Sequence, residues 1–141
     1  MIQTSVHSTG TASPTLSEKF NAVSGFTWSF SVSEPSYLIA FGHVDTKHLG
    51  IAGTANKAIM VAFQLKLNGS WLAGSKTGEN IVGVEGHYYA AQIHGFKQLN
   101  PGNYTIELHS RSASTAAPGV DGLAAIKGTY NQVVYMLVPV S

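Results

Sequence analysis

Six histidines are the most reactive side chains that this sequence offers. Three acid–base and ligand groups lie close together in His43-Val44-Asp45 and His48, an H-x-D-x-x-H pattern. On a strand, residues two apart share a face, so His43 and Asp45 could reach one ion. His48 would have to fold back to join them. The Cys or Glu partners of zinc motifs are missing, so hydrogen-bonded or solvated histidines are the preferred reading, with no metal site and no cofactor. His87, His94 and His109 are scattered along strand-like runs. Catalytic chemistry has little else to work with. No G-x-S-x-G elbow is present, and Gly69-Ser70 and Gly74-Ser75 lack its context. The seven acids are mostly isolated, so Glu79 and Glu85 read as a solvated edge and not as a glycosidase pair. No Gly-rich phosphate loop precedes a helix. The expectation is a protein without catalytic residues and without enzymatic activity.

Binding chemistry is carried by aromatic residues. Trp71 follows a turn and could stack on a sugar, as could Tyr88 and Tyr130, although a lone aromatic is more often core or interface. The sequons Asn68-Gly69-Ser70 and Asn103-Tyr104-Thr105 both fall at turns, and the turn explains each Asn.

The elements that must position these residues are strands. In Phe26, Trp28, Phe30 and Val32 apolar residues alternate with Thr27, Ser29, Ser31 and Ser33, the period-two pattern of a half-buried strand. Ala58 to Leu67 alternates likewise, with Ile59, Val61, Phe63, Leu65 and Leu67 assigned to the core. Asn68-Gly69 then signals a type I′ turn. The stretch His87 to Arg111 is two strand-like runs around Leu99-Asn100-Pro101-Gly102-Asn103 and reads as a hairpin. Gln132 to Val140 is apolar on both faces and belongs in the middle of a sheet, with Pro139 near its end. Ser112 to Gly122 reads as an exposed, mobile loop, and Asp45 to Lys57 as another. No helical periodicity of useful length appears. Eight or more strands separated by loops predict an all-β sandwich or barrel.

With 141 residues and no cysteine, the chain suits one compact domain that needs no disulfide. Net charge is +1 and charged residues make up 11%, against about 25% usually. The lysines are spread evenly, so neither nucleic acid nor a membrane is expected as a partner. No signal peptide or apolar span of about 20 residues is visible, and the chain reads as soluble. Met1 suggests a complete small gene product. Residues 1–18 form a polar Ser/Thr-rich arm with only Ile2, Val6 and Leu16 to pack. The arm reads either as a frayed terminus or as a segment that orders only against a partner. Residues 19–141 then form the domain.

Tyr37 to Phe41, Tyr88-Tyr89 and Val133 to Val138 are apolar on both faces. One face meets the core and the other needs a cover, either loops or a second subunit. This makes Tyr37, Tyr88, Tyr89 and Tyr135 candidate subunit contacts.

The order of features resembles a known group. An aromatic strand, an apolar strand, the Leu65-x-Leu67-Asn68-Gly69 turn and a C-terminal apolar strand flank a distinctive run, Leu99-x-x-Gly102-x-Tyr104-x-Ile106-x-Leu108-x-x-Arg111. Over roughly residues 20–140 this resembles the trimeric jelly rolls of the tumour-necrosis-factor and complement globular-head type. More closely, it is similar to small jelly-roll proteins of bacteriophage virions, the head decoration proteins and tail-fibre heads. The resemblance implies an all-β, two-sheet antiparallel jelly-roll sandwich of about eight to ten strands with an extended N-terminal arm. It implies a homotrimeric decoration (cement) protein located in the virion, assembled in the host cytoplasm, that binds the major capsid protein of a phage head. On that reading the arm, through Ile2, Val6 and Leu16, contacts the shell. The alternative it implies is a receptor- or carbohydrate-binding tail-fibre head, with a glycan on Trp71 and loops 45–57, 74–80 and 112–122.

Overall fold

The computed structural model describes residues 1–141 apart from the side chain of Asn80. Ten strands run in the order β1 (Gln3–His7), β2 (Asn21–Ala22), β3 (Trp28–Val32), β4 (Ser36–His48), β5 (Ile59–Leu67), β6 (Ser70–Trp71), β7 (Asn80–Val82), β8 (Tyr88–Leu99), β9 (Gly102–Ala113) and β10 (Ala124–Pro139). They form two sheets. The first has the order β1-β10-β4-β8, and in the second β9 and β5 are the centre, with β2 and β3 on one side and β6 and β7 on the other. Every pairing is antiparallel. The chain crosses between the sheets at six of its nine connections, in the jelly-roll form of the two-sheet sandwich.

Alternation sets which side chains fill the space between the sheets. From β5, Ile59, Val61, Phe63, Leu65 and Leu67 all turn inward and are buried. They meet Leu38, Ala40 and Val44 of β4 and Val133, Tyr135 and Leu137 of β10 in one core. Asn68 and Gly69 both take positive φ, 49° and 79°, as a type I′ turn requires, and they fold Ser70-Trp71 back onto β5.

The run around Leu99–Asn103 is not a hairpin. Its first half, β8, pairs with β4 in the first sheet, and its second half, β9, pairs with β5 and β3 in the second. Turn-forming residues reverse a chain equally well at a hairpin and at a corner between sheets. Here the corner prevails because each half buries a face on opposite sides of the same core: Ala91, Ile93 and Leu99 from one sheet, Ile106 and Leu108 from the other.

The N-terminal stretch is part of the domain. Gln3–His7 pairs with Val133–Leu137 as the edge of the first sheet. Thr15 bridges to Ala125, and Leu16 is 2% exposed in the core. An arm that orders only on a partner is therefore corrected to an edge strand and a core anchor, because the neighbouring β10 supplies the backbone partners the polar sequence lacks by itself. The 112–122 loop is also tied down. β9 runs on to Ala113, Ser112 and Ala117 are buried, and the Ser114 hydroxyl donates to the Ala58 carbonyl at 2.9 Å. In the 74–78 segment the Ser75 and Thr77 hydroxyls accept the Leu65 and Phe63 N–H groups, so this loop too is stitched to β5.

Candidate functional site

The two sheets present different outer faces. On the second sheet, residues of β5, β6 and β9 alternate outward as Gln64, Lys66, Trp71, Glu107, His109 and Arg111. Trp71 is 43% exposed, but its surface is already occupied. The Lys66 ammonium sits 4.5 Å from its ring centroid, Phe20 packs against it at 5.2 Å, and the His109 ring meets it edge-on at 5.4 Å. A sugar would have to displace one of these neighbours before it could stack.

His109 beneath it is unusual. It is buried, and neither ring nitrogen has a hydrogen-bond partner among the described residues. Burial holds its pKa below the ordinary imidazole value, and the Lys66 charge adds to this. The Glu107 carboxylate, 3.6 Å away, pulls in the opposite direction without prevailing.

The His43–Asp45–His48 pattern comes apart in space. His43 and Asp45 face outward from the first sheet, whereas His48 is fully buried on the other face. Its Nε2 donates to the Lys57 carbonyl at 2.9 Å and its Nδ1 accepts from the Gly50 N–H at 3.0 Å, so both ring nitrogens are spent on loop 49–58. Among the described residues no group of three or more His, Cys, Asp or Glu side chains is arranged to hold a metal ion.

The outer face of the first sheet is different in kind. Register places Val134 beside Val6 and Phe41, Met136 beside Thr4 and Ile39, and Val138 beside Tyr37. Phe96 lies next to Ile39 and stacks on Tyr37 at 5.3 Å. Phe41, Phe96 and Val6 are 46%, 60% and 58% exposed. The result is an apolar cluster drawn from four strands, with Thr4, His94 and Gln98 among its neighbours. Of the tyrosines expected at a subunit contact, Tyr37 and Tyr88 face outward. Tyr89 packs against the core and Tyr135 is fully buried. Tyr135 is a correction: its hydroxyl donates to the Phe26 carbonyl at 2.7 Å, and burial pushes its phenol well above the usual range. Both faces of β10 are apolar, so alternation alone does not say which one is the core. Leu16 is likewise unavailable to a partner, whereas Ile2 and Val6 are exposed.

Beyond that cluster, β10 carries an irregularity between Ile126 and Asn131. It throws Lys127 and Tyr130 toward the ends of β4 and β8. With Asp45 and Tyr88 they line a cavity of about 350 Å3. Even spacing of lysines along the chain concealed this, because Lys47 and Lys127 both come within 6 Å of the Tyr88 ring centroid.

This architecture has relatives in shape. Over its full length the chain superposes on a chain of the infectious bursal disease virus Gx strain structure with a TM-score of 0.58 at 7% identity. A chain of the T13 viral particle of the same virus gives 0.57 at 6% identity over 99% of this chain, and one from the Gt strain gives 0.55 at 10% over 99%. The chain spans about a third of the length of each, 34%, 36% and 37% respectively. The likeness is one of fold. No family model matches the sequence. No curated protein matches it either.

Proposed function

We propose that this chain is a non-enzymatic structural protein of a virus particle, a homotrimer that decorates a phage head by binding its major capsid protein. The observation that carries the reading is the exposed apolar cluster on the outer face of β1-β10-β4-β8, centred on Phe41, Val134, Met136 and Phe96. Monomeric proteins seldom leave such a face to water. The likeness in fold to chains of virus particles supports the same reading. Tyr37 and Tyr88 lie on this face and would join the subunit contact, with exposed Ile2 and Val6 at its edge open to the capsid shell.

Light scattering on the purified chain tests the assembly. A mass of three chains is expected, falling to one chain in Phe41→Ser/Phe96→Ser with an unchanged far-UV spectrum. A single-chain mass for the unaltered protein at every concentration would sink the trimer. Co-sedimentation with undecorated heads tests the partner, and Val6→Ser should weaken it. Deleting residues 1–16 is no test, because it removes β1 and the core side chain of Leu16.

A further inference from the structure

The recess where β10 departs from regular pairing has the features of a built ligand site. Two tyrosines, Tyr88 and Tyr130, stand 53% and 56% exposed at its sides. The Lys127 ammonium lies between them, 5.6 Å from one ring centroid and 6.0 Å from the other. Lys47 approaches Tyr88 at 5.9 Å, and Asp45 lines the cavity. Among the described residues none of these five side chains spends its polar end on a hydrogen bond or an ion pair. Another surface recess of similar size, at Ser29, Ser31, Asn103 and Thr105, is the opposite case. There the side chains satisfy one another, Ser29 with Thr105 at 3.0 Å and Ser31 with Asn103 at 2.7 Å.

The scaffold behind the recess is hydrogen-bonded and closely packed. Asn131 is buried and its amide donates to the carbonyls of Lys127 and Gly128 at 2.9 and 3.1 Å, fixing the bulge from inside. The N-terminal segment closes on it from behind so tightly that a Cβ on Gly128 would collide with the carbonyl oxygens of Thr11 and Ala12. Bulges commonly re-aim side chains next to binding sites, and a site held by packed, hydrogen-bonded supports keeps its geometry.

We propose that this recess binds an acidic saccharide, a sugar carrying a carboxylate or a sulfate. Each part of such a ligand has a counterpart. The anion draws the Lys47 and Lys127 ammoniums off the tyrosine rings, the C–H face of a pyranose takes their place there, and ring hydroxyls donate to the Asp45 carboxylate. A purely apolar ligand would strip water from three charges and return nothing. A volume of about 350 Å3 lies within the range of roughly 300–1,000 Å3 usual for small-molecule sites. A single strand of nucleic acid also offers anions and stacking faces. It is disfavoured by a chain whose net charge is +1 and by the carboxylate in the recess. The inference does not depend on the virion reading.

The experiment is a titration of the full chain, followed by calorimetry and amide NMR shifts, with sialyllactose, a sulfated lactose that carries no carboxylate, lactose and a thymidine octanucleotide. Binding of sialyllactose or of the sulfated disaccharide is expected, with shifts at residues 45–47, 88 and 127–130, and the two probes separate carboxylate from sulfate. Lactose should bind at least about tenfold more weakly. Tyr130→Ala and Lys127→Gln should each weaken binding about tenfold, the loss of one good contact. Trp71→Ala should leave it unchanged. Failure of both acidic probes to bind at millimolar concentration would overturn the proposal. So would binding that survives Tyr130→Ala combined with Lys127→Gln, or tighter binding of the octanucleotide.

Discussion

Thr9 and Asn131 hold each other across 122 positions of sequence. The Asn131 Oδ1 accepts the Thr9 N–H at 2.8 Å, and its Nδ2 donates to the Thr9 hydroxyl at 2.8 Å. With its bonds to the Lys127 and Gly128 carbonyls, the amide is fully used. One side chain thus ties the N-terminal segment to the one irregular stretch of β10.

Replacing Asn131 with Ala removes the partner of the part-buried Thr9 N–H and Lys127 carbonyl, and leaves the buried Gly128 carbonyl with only the Thr9 hydroxyl at 3.4 Å. Each unsatisfied group costs about 1–3 kcal/mol, and water can reach some of them, so the expected loss is about 2–3 kcal/mol. Urea denaturation measures it. Hydrogen exchange should locate the loosened amides at residues 8–13 and 127–131, and uniform exchange across the domain would contradict the local role.

Tyr135→Phe keeps the volume and removes only the hydroxyl that the Phe26 carbonyl accepts. The expected cost is about 1–2 kcal/mol by thermal unfolding. Because the ring lies inside the sandwich, against Trp28 and His7, mass in solution should not change. A change in oligomeric state would return Tyr135 to the subunit contact.

His109 makes stability depend on pH. Its folded pKa lies below the unfolded value near 6.5, so below that pH the unfolded chain binds more protons. Stability contributed by the neutral, buried ring is therefore full above 6.5 and falls as pH drops through 6.5 toward the folded pKa. Melting curves from pH 7.5 to 5.5 should slope more steeply for the natural chain than for His109→Gln. Equal slopes would show that the Glu107 carboxylate compensates fully.

The sequence determined the strands with clear alternation, and not β1, whose polar residues read as an arm. Alternation at Phe26–Val32 and Ile59–Leu67 fixed their inner faces, since a side chain's direction along a strand is a local property with a period of two. Asn68-Gly69 determined its turn for the same reason, since both residues tolerate positive φ. The doubly apolar character of β4 and β10, and with it the central place of β10, was also legible. Only the tertiary structure decided which strands pair. The corner at Leu99–Gly102, the burial of Tyr135 over Val134, and the capture of residues 3–16 by β10 all depend on partners distant in sequence. The candidate recess depends on the same thing. Asp45, Lys47, Tyr88, Lys127 and Tyr130 carry no common motif, and they meet only because β8 and a bulge in β10 are laid on either side of β4. Local chemistry writes the strands, and long-range pairing, which no short window of sequence encodes, chooses what they bring together.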